Sequence, residues 1–156
     1  MEKGGAPMDT HQCLACQVNE GRTAPPGGVI YRDRWWQVDH RVDPGPILGW
    51  LVLKPLRHVE FLDALTDDEA ATLGRVTRRV VGAMRAALPS PPAKVYALLL
   101  AEAADCPHLH WHLVPRSATH PREFRGPRIF STEGPDVPRA DIDALADRLR
   151  ALLHAD

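Results

Sequence analysis

Three histidines alternate with apolar residues in the stretch Cys106-Pro107-His108-Leu109-His110-Trp111-His112-Leu113-Val114-Pro115-Arg116. Successive side chains of a strand point to opposite faces, so His108, His110 and His112 share one face while Leu109, Trp111 and Leu113 share the other. The apolar face can enter a core. The other face cannot be ordinary core, because each of three imidazoles needs a hydrogen-bond partner, a metal or a substrate. A neutral imidazole can act as nucleophile, as proton donor or acceptor, or as metal ligand, so this strand is the candidate chemical centre. Pro107 and Pro115 stand at its ends, where a residue unable to donate to a ladder belongs.

Cys13-Leu14-Ala15-Cys16 is the second candidate. Two thiols at this spacing can chelate one ion, and a tetrahedral site then needs two further ligands, for which His58 and His108 are the natural candidates. Cys106 is read as a buried bystander, or as the fourth ligand if His58 points elsewhere. A redox role would want the pair after a strand and opening a helix in a βαβ unit, a context the sequence lacks.

The elements that must position these residues can be read from periodicity. Val29-Ile30-Tyr31 and Trp35-Trp36-Gln37-Val38 read as two short strands with Asp33-Arg34 between them as a hairpin turn, closed by the loop Asp43-Pro44-Gly45-Pro46. Gly49 to Leu53 is an apolar run ended by Pro55, the pattern of a central strand buried on both faces. Thr66-Asp67-Asp68-Glu69 is a capping box, and Leu73, Val76, Val80, Met84 and Leu88 recur at helical steps until Pro89 to Pro92 stops the chain. Lys94 to Leu100 is a strand that pairs back, antiparallel, with the histidine strand. Ile142, Leu145, Ala146, Leu149, Leu152 and Leu153 mark a closing amphipathic helix. The class is α+β: a mainly antiparallel five-stranded sheet with one long helix packed on it and a C-terminal helix.

With 156 residues the chain is expected to form one domain over 1–156, with a mobile N-terminus at 1–12 and a variable tail over 117–156 that carries the last helix. A formal charge of −1 with both signs intermixed gives no case for nucleic acid or an anionic membrane, and leaves a small molecule as partner. The first ten residues hold no apolar run of leader length and no stretch reaches a membrane span, so a cytoplasmic location is expected. Three cysteines there stay reduced, which favours metal binding or burial over disulfides. Arg116, Arg122, Arg125 and Arg128, with His120, form the one basic run, read as a solvated loop rather than a grip on a polyphosphate.

His108-Leu-His110-Trp-His112-Leu-Val114 resembles the histidine-triad (HIT) pattern of His, apolar, His, apolar, His, apolar, apolar. Gly49-Trp-Leu-Val-Leu-Lys-Pro-Leu-Arg-His58-Val is similar to the strand and Pro-x-Arg-His segment of that family. The resemblance runs over roughly residues 13–116. It implies a nucleotide hydrolase or nucleotidyl transferase acting at the α-phosphate of an ester, anhydride or phosphoramidate. His110 would be the nucleophile that forms a nucleotidyl-histidine, with its other nitrogen bonded to the backbone carbonyl of His108. His112 would sit beside the phosphate or leaving group, giving it a hydrogen bond or a proton. In the zinc-containing branch, which includes galactose-1-phosphate uridylyltransferases, the corresponding positions hold a structural Zn2+, here Cys13, Cys16, His58 and His108. The nucleoside pocket maps by resemblance onto Ile30, Trp35 or Trp36, and Asp43, with Arg116 as a further phosphate contact. A homodimer is also implied. The resemblance departs at Glu102-Ala103-Ala104-Asp105-Cys106, where many members carry side-chain donors for the phosphate; the alternative function is therefore a nucleotide-binding module with little catalysis.

Overall fold

The computed structural model describes residues 9–155. Of the expected mobile N-terminus, residues 1–8 lie outside the described residues, while Asp9 to Gln12 form a turn closed by a hydrogen bond from the Gln12 amide to the Asp9 carbonyl.

Five strands form one antiparallel sheet: β1 (Val29–Arg32), β2 (Trp36–His40), β3 (Leu51–Pro55), β4 (Lys94–Leu99) and β5 (Trp111–Arg116), in the spatial order β1-β2-β3-β5-β4. The β1-β2 hairpin is closed at Asp33, whose carboxylate accepts from the Trp35 and Trp36 amides, an aspartate doing what its short acceptor side chain does best in a turn. The β4-β5 hairpin pairs Lys94 with Arg116 and Leu99 with Trp111, as the sequence predicts. The regular part of the histidine strand starts later than expected, at Trp111, so His108 and His110 stand on the extended lead-in, where the Leu109 amide donates to the Val59 carbonyl. Pro115 lies inside β5 rather than beyond it. The last β3-β5 pair is Leu51 with Leu113, so one flank of the strand has no partner at Pro115.

Three α-helices are present among the described residues, two of them signalled by local sequence. Helix α1 (Leu14–Asn19) is a six-residue helix that the sequence reading missed. Helix α2 (Asp67–Ala87) starts at Thr66 with the capping box closed in both directions, the Thr66 hydroxyl taking the Glu69 amide and the Glu69 carboxylate taking the Thr66 amide. Helix α3 (Arg139–His154) buries Ile142, Leu145, Ala146, Leu149 and Leu153, while Leu152, expected on the same face, is 45 % exposed.

The alternation of each strand divides the sheet into two faces. Trp36 and Val38 of β2, Leu51 and Leu53 of β3 and Leu113 of β5 meet Val76, Val80 and Met84 of α2 and Leu145 and Leu149 of α3, forming the main core. Their neighbours in sequence, Gln37 and Asp39, Val52 and Lys54, and His112, therefore point away from the long helices. Helix α1 covers one end of this second face. The other end is covered by the tail, where two short 3-10 turns (Arg122–Phe124 and Gly126–Ser131) bury Ile129 against Trp50 and Val114. The tail is thus anchored rather than loose, with Gly126 donating to the Tyr96 hydroxyl and Arg125 to the His120 carbonyl, while Arg122 and Arg128 of the basic run stay exposed.

Candidate active site and metal site

Between α1 and the tail lies a cavity of about 270 Å³ whose lining includes Leu14, Ala15, Val18, Asp39, Arg41, Asp43, Val52, Lys54, Asp105, Cys106, His110 and His112. Two of the three histidines face it. His110 is 8 % exposed and its Nδ1 lies 2.7 Å from the His108 carbonyl oxygen. A carbonyl accepts only, so Nδ1 carries the proton and Nε2 keeps its lone pair. Burial pushes the His110 pKa down, with the nearby Lys54 cation adding to the shift, so the ring is held neutral. A neutral, oriented imidazole with a free lone pair is a nucleophile.

His112 is fixed from the other side. The Trp50 indole N–H donates to His112 Nδ1 at 3.0 Å. An indole nitrogen has no acceptor capacity, so His112 bears its proton on Nε2. Burial, then His110 and Arg41, push its pKa down to about 3. The ring can therefore offer a hydrogen bond to negative charge. The His110 and His112 rings stand 4.8 Å apart between centroids, near enough for one phosphate to span both.

His108 turns away from the cavity. Its Nε2 donates to the Pro55 carbonyl at 3.0 Å and its Nδ1 lies 3.5 Å from Cys16 Sγ. His58 repeats this arrangement, with Nε2 3.0 Å from a Glu60 carboxylate oxygen and Nδ1 3.3 Å from the same sulfur. In each ring the outer nitrogen is engaged by an oxygen acceptor, so the inner nitrogen offers a lone pair, the tautomer a metal ligand needs. With Cys13, these groups place four ligand atoms within 4.8 Å of one another. Tetrahedral zinc with bonds of ~2.3 Å to sulfur and ~2.05 Å to nitrogen has S···N edges of roughly 3.6 Å, close to the two observed separations. The cluster is almost wholly shut off from solvent. Burial raises the Cys16 thiol to about 12, reinforced by Cys13, a cost that a bound cation would reverse by favouring thiolate. The four residues therefore fit a metal ion. His108 serves both sites, its ring directed to the cluster and its carbonyl to His110. Cys106 packs against the cysteine pair without joining this set; its sulfur lies 4.0 Å from His110 Nδ1. Among the described residues all three cysteines are free thiols.

The expected nucleoside pocket is corrected in part. Asp43 lines the cavity, but Ile30, Trp35 and Arg116 do not. Ile30 is 1 % exposed in the core on the helix side, because the alternation of β1 turns it away from the triad face. Trp35 sits in the β1-β2 turn, packed against that same core with Arg34 over its ring. Trp36, the alternative, is fully buried there and donates to the Thr72 hydroxyl. Arg116 lies four residues beyond His112, past the tail-covered Val114, and bonds the Ser117 carbonyl.

Three charged residues of the cavity lining, Asp39, Lys54 and Arg41, were missed by sequence reasoning. Asp39 and Lys54 form a buried ion pair at 2.5 Å beside His110, with Gln37 donating to the same Asp39 oxygen and Arg32 donating in turn to Gln37. Arg41 lines the wall and lies over Trp50 with its guanidinium carbon 4.4 Å from the ring centroid. The signal was the period-two alternation Gln37, Asp39, Arg41 against Trp36, Val38, His40, which puts three polar side chains on the histidine face.

Comparison with known proteins agrees with this fold. The HIT domain family matches residues 25–119, and the chain belongs to that family. Among solved structures, a zinc-bound histidine triad family protein from Mycobacterium smegmatis is 21 % identical over 93 % of this chain and 95 % of its own, with a TM-score of 0.68. A hypothetical histidine triad nucleotide-binding protein from Sulfolobus tokodaii is 20 % identical over 90 % of this chain and 91 % of its own, also at 0.68. A Hit-like protein involved in cell-cycle regulation from Bartonella henselae is 14 % identical over 87 % and 92 %, at 0.65. A comparison with curated proteins finds no match.

Proposed function

We propose that the protein is a nucleotide hydrolase or nucleotidyl transferase that cleaves at an α-phosphate through a nucleotidyl-His110 intermediate. The observation that carries this reading is the 2.7 Å bond from His110 Nδ1 to the His108 carbonyl, which leaves Nε2 as a lone pair aimed into a cavity. In the reaction, Nε2 bonds to phosphorus as the bond to the leaving group breaks, and His112 Nε2–H stabilises the charge that develops. Water or another acceptor then displaces the histidine. Asp39 and Asp43 are acceptors in the cavity lining available to ribose hydroxyls.

The Cys13, Cys16, His58 and His108 cluster is proposed to hold a structural Zn2+. The ion would tie α1 to the lead-in of β5 and hold the His108 carbonyl where His110 needs it. The sheet order leaves the outer edge of β4 without a partner among the described residues, which supports a homodimer joined edge to edge. Free thiols suit a reducing cytoplasmic setting. No helix among the described residues is long and apolar enough to cross a membrane.

The reading is tested by turnover of nucleoside phosphoramidates, dinucleoside polyphosphates and sugar nucleotides. His110→Ala is expected to lose at least ~10³-fold in kcat/KM, and unchanged turnover would sink the proposal. The alternative of a binding module is favoured by one feature, Ala103 and Asp105 lining the cavity where side-chain donors could hold phosphate. It expects nucleotide affinity with no turnover.

A further inference from the structure

The Pro55 carbonyl that fixes the outer nitrogen of His108 is itself held, by a residue the proposed chemistry does not use. Its oxygen takes the His108 Nε2–H at 3.0 Å and a hydrogen from Asn19 Nδ2 at 2.9 Å. Asn19 Nδ2 also reaches the next carbonyl, that of Leu56, at 3.2 Å. The two hydrogens of one amide therefore clamp two successive peptide oxygens at the end of β3. The opposite orientation of the amide would set Oδ1 against both carbonyl oxygens, so hydrogen-bond chemistry admits only this one.

Asn19 is 6 % exposed, and its Oδ1 is buried with no donor in reach among the described residues. A buried acceptor left unpaired costs stability, and a leucine of similar size would fill the space without that cost. Packing alone therefore does not select asparagine at the end of α1. What the amide supplies and leucine does not is the pair of donors. The backbone from which they project is anchored too. Arg32 Nη1 donates to the Asn19 carbonyl oxygen and to Gln37 Oε1, both at 2.9 Å, and Gln37 donates in turn to Asp39 of the buried ion pair. Two hydrogen-bonded chains thus meet at Asn19, its side chain leading to His108 and its backbone to Asp39 and Lys54.

We propose that Asn19 is the positioning residue of His108. By holding the Pro55 carbonyl it fixes the plane of the His108 ring, so that Nδ1 stays directed at Cys16 Sγ, 3.5 Å away. The effect on metal affinity rests on the zinc reading given above, whereas the effect on the ring does not. A partner on the far nitrogen of a ligating imidazole sets its tautomer and direction, and losing such a partner costs ~10- to 100-fold in metal affinity. Here the control sits one step further out, on the acceptor instead of the ring.

The test follows the His108 Nε2–H in the purified full chain by 1H–15N spectroscopy. Wild type is expected to show it as a resolved, slowly exchanging proton. Asn19→Leu should keep the circular dichroism of wild type and speed exchange of that proton by at least ~10-fold, and Asn19→Ala, which adds no bulk, should do the same. Val76→Ala lowers stability from the helix-side core and should leave the proton unchanged. Zn2+ measured against a competing chelator should bind both Asn19 variants ~10- to 100-fold more weakly than wild type, and Val76→Ala as tightly as wild type. The inference is overturned by a wild type with no slow His108 proton, by exchange unchanged in the Asn19 variants or speeded equally in Val76→Ala, or by equal Zn2+ affinity in Asn19→Leu and wild type. A wild type that binds no Zn2+, with the Asn19 effect on the ring proton intact, would remove the zinc reading and leave Asn19 in its role.

Discussion

The His108 carbonyl oxygen sits 2.7 Å from His110 Nδ1 while the His108 ring faces Cys16 Sγ at 3.5 Å. One residue therefore joins the Cys13, Cys16 and His58 cluster to the proposed nucleophile, through its side chain on one side and its backbone on the other. Anything that loosens the cluster should disturb the aim of His110 before it disturbs the helices on the opposite face of the sheet.

That coupling predicts the effect of metal removal. Chelation at neutral pH should release one zinc per chain, lower the thermal midpoint and reduce kcat without abolishing it, since the ion takes no part in bond breaking. Cys16→Ser should reproduce the shift, and metal analysis of the two preparations checks it. A thermal midpoint unmoved by loss of the metal would contradict the structural role.

The buried pair of Lys54 and Asp39 predicts an asymmetric mutational pattern. Each side chain is 2 % exposed, and removing one charge leaves the other buried and unpaired. Lys54→Met should cost ~3–5 kcal/mol in chemical denaturation, whereas Lys54→Met with Asp39→Leu should recover most of that stability. The double variant should still bind nucleotide poorly, because the cavity wall beside His110 has lost its polar groups.

Stability should also depend on pH through His112. Its pKa is pushed down to about 3, below an unfolded-state value of about 6.5. Between these limits the unfolded chain binds a proton that the folded chain does not, so the contribution is complete above about 6.5 and is lost as pH falls towards 3. The slope reaches about 1.4 kcal/mol per pH unit for this one group. Urea midpoints measured from pH 7 to 4 should fall less steeply in His112→Asn than in wild type. Parallel curves would remove His112 as a cause.

Much of this arrangement was legible in the sequence because it is written in local patterns. The capping box at Thr66 marked the start of α2, the Leu73 to Leu88 spacing marked its buried face, and Cys13-Leu-Ala-Cys16 marked a thiol pair that the fold brings together with His58 and His108 in a cluster able to hold an ion. The same alternation that exposed the triad also encoded Asp39 and Arg41, but the neighbouring Asp43 in a Pro-Gly loop drew attention instead. Trp50 and Lys54 were hidden inside an apolar run whose two faces a sequence does not label. The tail was harder still. Ile129 and Phe130 have no periodic neighbours, and only the fold shows that they reach back over Trp50 and His112. Ile30, Trp35 and Arg116 were placed in the pocket by resemblance, but the alternation of β1 turns Ile30 to the helix side, Trp35 sits in the β1-β2 turn, and Arg116 shares the His112 face yet lies beyond the tail-covered Val114.

The account turns on covalent chemistry at His110, and the most direct test is intact-protein mass spectrometry after brief exposure to adenosine and guanosine polyphosphates, phosphoramidates and sugar nucleotides. Mild, non-acidic handling preserves the phosphorus–nitrogen bond. The account predicts a nucleotide-sized mass increment on wild type that maps to His110 and is absent from His110→Ala. Turnover with no increment even on rapid quenching, or an increment that persists in His110→Ala, would contradict it.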